Sequence, residues 1–184
     1  MPHVPDLSGA HEALFQLRHL AQGSREFCKR ELLHFGDDDY TPEEWETYQG
    51  QLHFLVSRTL ISTAANFRVL QETLRSGSEG DNLATAEEEL GLTQQAGLGE
   101  VLEGEFNLTL RESCNKILHA TEFDLLFHES RAGKPSRRYS HWSGEVHIVG
   151  SKGGREWKLM LAVPAWCVAV DNYFECFSGD LEWR

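Results

Sequence analysis

The amino-acid sequence predicts a single α+β domain over residues 1–184, predominantly α. We expect an antiparallel helical bundle with a C-terminal β-hairpin followed by a terminal helix. Apolar residues recur every three or four positions over long segments, which is typical of amphipathic helices. Regular apolar–polar alternation is convincing only within 142–163, which predicts one hairpin. The chain has 184 residues, 40% of them hydrophobic, enough to bury one sizeable core.

Four helices are predicted, at about 8–35, 41–75, 107–130 and 164–178. The second opens with Thr41, Pro42 and two glutamates, a sequence that favours a helix start. The short turn before it predicts that the first two helices pack antiparallel. Pro164 favours the start of the last helix, after a hairpin whose turn is predicted at 150–154.

Residues 76–106 form an acidic connection between the second and third helices. Between Ser76 and Leu110 there are eight acidic residues and no Lys or Arg. A connection of this length is either partly disordered or covers a site.

Composition narrows the function classes. The net charge of −12 opposes indiscriminate adhesion to nucleic acid, although residues 131–158 contain seven cations and only two acids. The four cysteines form no C-x-x-C pair, which argues against a zinc cage or a disulfide framework. No apolar run is long enough to span a membrane and no secretory signal is readable, so we predict a cytoplasmic protein. We expect no cofactor and no metal.

The third helix carries the most suggestive polar residues. At 100° per residue, Arg111, Asn115 and His119 fall within an arc of about 80° and share one helical face. A cation, an amide and an imidazole grouped in this way could orient a phosphodiester, with His119 as general acid or base. These three residues are the predicted catalytic set.

The run from Asn115 to His119 resembles the polar-x-x-x-His part of the motif of the HEPN superfamily (higher eukaryotes and prokaryotes nucleotide-binding). Many members are helical-bundle, metal-independent ribonucleases of toxin and defence systems that act as dimers. The resemblance therefore implies a homodimer that cleaves RNA through its 2′-hydroxyl, with His119 in proton transfer and Arg111 on phosphate.

Cations on the third helix and around the hairpin are the predicted RNA-binding residues: Lys116, Arg137, Arg138, Lys152 and Arg155. Two alternatives remain open. The polar face of the third helix can be a purely structural, solvated surface, and the charged hairpin can be an edge protected from aggregation. The protein can also be a noncatalytic interaction module, regulatory or antitoxin-like, that binds a partner protein.

Overall fold

A computed structural model of the chain describes residues 7–36, 42–76, 87–88, 97–133 and 138–178. Its elements, in chain order, are α1 (Leu7–Glu31), α2 (Glu43–Arg75), β1 (Gly99–Glu103), α3 (Leu110–Leu118), β2 (Ala120–Arg131), β3 (Arg138–Lys152), β4 (Arg155–Ala162) and α4 (Val163–Ser178).

The four strands form one antiparallel sheet in the order β1-β4-β3-β2. Strands β3 and β4 are joined by Gly153 and Gly154, with φ of +60° and +77°. Two consecutive positive φ values suit the tight turns that match the twist of a hairpin, and glycine adopts them without steric cost.

The helices pack on one face of this sheet. Rows of directly paired residues cross the strands, and the row of Phe123, Ile148, Leu159 and Val101 lies on the helix side. Ile148 and Leu159 are completely buried there. Helix α1 lies against β3 and against α4, and α2 packs on α3. The core is therefore sandwiched between one sheet and one layer of helices.

The predicted helical bundle is wrong, because the strands form a central four-stranded sheet that makes up 28% of the described chain. The expected hairpin is only the β3–β4 part of that sheet. The predicted third helix ends at Leu118, and its second half is strand β2. Phe123, Leu126 and Phe127 fit a helical stripe, but Phe123, Leu125 and Phe127 also alternate as a strand requires, and pairing with β3 decides between the two.

Strand β1 is a second difference from the prediction, because it lies inside the predicted acidic connection. Residues 77–86 and 89–96 of that connection are outside the described residues, so its expected disorder or covering role stays a prediction. β1 is a mostly exposed edge strand with two glutamates, and it pairs with β4 from far along the chain. Such a strand carries little local β signal.

Two further features bear on the sequence predictions. Among the described helices, none combines the length and apolar character needed to cross a membrane. Cys28, Cys114 and Cys167 are buried, Cys176 is exposed, and all four thiols are free.

Candidate functional site

The sheet face turned away from the helices is strongly acidic. One row across it joins Asp124, His147, Met160 and Glu100, and the next joins Glu122, Val149, Lys158 and Glu103. Glu145 lies on the same face, two residues before His147 on β3. We call this the acidic face. It contains five carboxylates and one lysine, and none of the five forms an ion pair with a described residue.

The middle of the acidic face is half-buried and partly apolar. Val149, His147 and Met160 are each of intermediate exposure, whereas Glu122 and Asp124 on the β2 edge and Glu100 and Glu103 on the β1 edge are exposed. The face therefore has an apolar centre between two acidic margins.

Histidines extend this surface along β2 and β3. His128 and His141 pair across the two strands, with their ring centroids 6.1 Å apart. The Nδ1 of His141 is buried and has no hydrogen-bond partner in the described structure. Burial, followed by the charges of Arg25 and His128, lowers the pKa of His141. This imidazole therefore resists protonation more than an exposed one does.

The three predicted catalytic residues are not brought together at one polar cleft. Arg111 Nη2 donates to Glu72 Oε1 on α2 at 3.2 Å, and Asn115 Nδ2 donates to Glu112 Oε2 at 3.2 Å. His119 is exposed at the C-terminal cap of α3, about 12 Å along the helix axis from Arg111. Each side chain thus has separate surroundings.

Lys116 is enclosed between two aromatic rings. Its Nζ lies 4.1 Å from the ring centroid of Phe106 and 4.3 Å from that of Trp157, and 3.6 Å from Glu112 Oε1. Its side chain is only 10% exposed. This cation–π contact makes the ammonium part of the interior packing more than of a solvent-facing patch.

The other predicted RNA-binding residues divide into two groups. Lys152 and Arg155 pair directly at the end of the β3–β4 hairpin, and with Lys116 they line an open cavity of about 480 Å³ that we call the basic pocket. Glu105 and Glu156 also line it. Arg138 lies at the other end of β3, roughly 45 Å along the strand, with Nη1 3.8 Å from Glu129 Oε2. Arg137 is outside the described residues.

No metal centre is evident in the part of the chain that the structure describes, where no three His, Cys, Asp or Glu side chains cluster as ligands. The sequence did hold a signal for the acidic face. Glu122 and Asp124, and Glu145 and His147, alternate with core residues along β2 and β3. That alternation has meaning only if residues 120–131 form a strand, which the apolar spacing alone does not decide.

The class of protein that these features define is an α+β domain whose sheet has one face packed against helices and one acidic face that no described helix covers. Comparison adds no relative, since no family model, curated protein or solved structure matches the chain.

Proposed function

We propose that this protein is a noncatalytic binding module whose acidic face binds a partner protein with a basic surface. The observation that carries the proposal is the set of five carboxylates, without ion-pair partners among the described residues, on a sheet face that no described helix covers. Complementary charge on a partner would steer association and select against acidic competitors.

The arrangement of the face suits a protein partner. Val149 and Met160 provide an apolar centre, and the carboxylates at the margins provide polar contacts, which resembles the core and rim of protein–protein interfaces. The net charge of −12 favours a basic partner over nucleic acid. The separation of Arg111 from His119 favours binding over catalysis.

The experiment probes an array of purified proteins of known isoelectric point with the labelled protein. A face variant combines Glu122→Gln, Asp124→Asn and Glu145→Gln. A matched control neutralises three exposed carboxylates elsewhere, Glu12→Gln, Glu46→Gln and Glu88→Gln. Circular dichroism verifies that each variant is folded.

We expect the bound proteins to be predominantly basic, to be released as ionic strength rises, and to be lost with the face variant but retained with the control. Binding without charge preference, or equal loss with both variants, would refute the proposal.

RNA binding at the basic pocket is the second candidate. The specific observation in its favour is that Lys116, Lys152 and Arg155, from α3, β3 and β4, line one open cavity. Of these three residues, only Lys152 and Arg155 are exposed enough to reach phosphate, so we expect weak binding. For single-stranded RNA, the logarithm of the association constant should fall with the logarithm of the salt concentration at a slope of about −1.4.

Fluorescence anisotropy with a 12-nucleotide RNA tests the second candidate. Lys152→Gln with Arg155→Gln should abolish binding, and the matched pair Lys29→Gln with Arg30→Gln should leave it intact. A metal-free incubation beside His119→Ala tests the ribonuclease activity that the HEPN resemblance implies. Equal cleavage by both proteins, or none, removes that activity.

The cytoplasmic location stays a prediction.

Homodimerisation is a third element of the proposal. Phe15, Phe54, Leu55 and Ile61 are 43–61% exposed on α1 and α2. These two helices hold seven acidic and seven basic residues, although the chain has a net charge of −12. Because an isologous interface places a surface against itself, helices whose charges balance suit a second copy better than the acidic face does.

A further inference from the structure

Glu87 is a buried carboxylate held by a set of donors from other elements. Its Oε1 accepts hydrogen bonds from Gln71 Nε2 at 2.8 Å and from the Tyr173 hydroxyl at 2.7 Å. Its Oε2 lies 3.9 Å from Arg75 Nη2. Gln71 and Tyr173 are 2% and 1% exposed, so helices α2 and α4 supply these donors from inside the protein.

The donors are themselves held in place. Arg68 donates to Gln71 Oε1 at 2.7 Å and to Glu72 Oε1 at 2.8 Å. The first bond fixes the Gln71 amide so that its nitrogen points at Glu87. Arg68 thus acts on the site through Gln71 and is a positioning residue.

Arg111 lies in a cluster of charged side chains that includes Glu87. Two cations, Arg68 and Arg75, and two carboxylates, Glu72 and Glu87, act on its charge. Burial, with the charges of Arg68 and Arg75, lowers the pKa of Arg111, while Glu72 and Glu87 act in the opposite direction. The Nη1 of Arg111 is buried and has no hydrogen-bond partner among the described residues. This charged donor thus has no described partner while Glu87 is bound to Gln71 and Tyr173.

We propose that this cluster is a binding site for a phosphate-class oxyanion, and that the Glu87 carboxylate is its occupant in the free protein. A carboxylate offers two oxygens and one negative charge. A phosphate monoester offers three strong acceptor oxygens and nearly two charges, which suits a cluster that holds the Gln71 and Tyr173 donors, the Arg75 guanidinium and, in Arg111, a charged nitrogen without a described partner. This proposal concerns a different surface from the acidic face and does not depend on it.

Thermal unfolding of the whole chain in phosphate, in acetate and in sodium chloride of equal ionic strength tests the proposal. The variant Glu87→Ala vacates the site, and Glu88→Ala changes an exposed neighbouring carboxylate as the control. In sodium chloride, Glu87→Ala should unfold at a lower temperature than the wild type. Phosphate at ten times its Kd should raise the Tm of Glu87→Ala by about 3–6 °C, and it should raise the Tm of the wild type and Glu88→Ala by less, because Glu87 competes.

The proposal is overturned if phosphate does not stabilise Glu87→Ala, if Glu88→Ala responds equally, or if acetate does as well as phosphate. If Glu87→Ala does not fold, Glu87→Gln is measured in the same way. If neither folds, broadening of the ³¹P signal of inorganic phosphate by the wild type but not by Arg111→Gln supports the site. Equal broadening by both proteins, or none, overturns it.

Discussion

A substitution at Gly150 tests the packing of Trp157, which lines the basic pocket. It lies on β3 directly opposite Trp157 of β4 and Ala120 of β2. A Cβ at this position would overlap Trp157 Cζ2 and would lie 2.8 Å from Trp157 Cε2 and 2.9 Å from the carbonyl oxygen of His119. An ordinary carbon–carbon contact is roughly 3.5 Å. Gly150→Ala therefore requires the indole ring or the strand backbone to move.

The expected loss of unfolding free energy depends on how tightly Trp157 is packed. The residue is 4% exposed, and its ring contacts the Lys116 ammonium. Overpacking a close-packed interior costs about 1–3 kcal/mol, and two rigid neighbours place this site at the upper end. We expect Gly150→Ala to lose about 3 kcal/mol of unfolding free energy, which lowers the Tm by about 6–12 °C in a chain of this size.

Urea unfolding followed by tryptophan fluorescence measures this loss. The matched control is Gly50→Ala, the same substitution inside α2, where an added Cβ has no atom within 4 Å. Alanine should stabilise that helix by about 0.5–1 kcal/mol. A Gly150→Ala variant within about 0.5 kcal/mol of the wild type, or an equal loss of stability in Gly50→Ala, would contradict overpacking at Gly150.

Three other predictions concern charge and association. Because burial lowers the pKa of His141, the free energy of unfolding should fall as the pH falls from above 6.5 through the folded-state value. His141→Asn should therefore make the Tm fall less between pH 8 and pH 5 than it does in the wild type, and an unchanged fall would contradict this. Lys116→Met keeps the side-chain length but removes the cation–π contacts, and it should lower the free energy of unfolding measured in urea by about 1 kcal/mol. A gain in stability would contradict a stabilising role for these contacts. For the proposed dimer, Phe54→Asp should give a monomer by light scattering. The control Leu102→Asp, at an exposed leucine on β1, should remain a dimer, and a monomeric wild type would exclude the dimer.

Some elements could be predicted because their signals are local. The 3.6-residue spacing along α1 and α2 and the alternation from Trp142 onward need no knowledge of distant residues. Strand β2 has no such advantage, since the apolar residues from Phe123 to Phe127 suit a helix or a strand. Its state depends on pairing with β3, which is a tertiary contact.

The candidate sites show the same limit. Helical spacing places Arg111, Asn115 and His119 on one side of an ideal helix, but it cannot show that Glu72 of α2 will pair with Arg111. Lys116 and Trp157 are adjacent only because α3 lies beside the hairpin. The Glu87 cluster joins α2, α4 and a residue of the acidic connection, so no sequence spacing predicts it.

The distance along the chain between β1 and β4 has a consequence for the order of folding. Gly99 pairs with Leu161, so roughly sixty residues must be enclosed before these strands meet, whereas β3 and β4 meet across two glycines. The hairpin can therefore form early, whereas β1 joins late and, as a short exposed edge strand, can open locally. Glu100 and Glu103 belong to β1, so a transient detachment of this one strand would remove two of the five carboxylates from the acidic face while the rest of the sheet stayed folded.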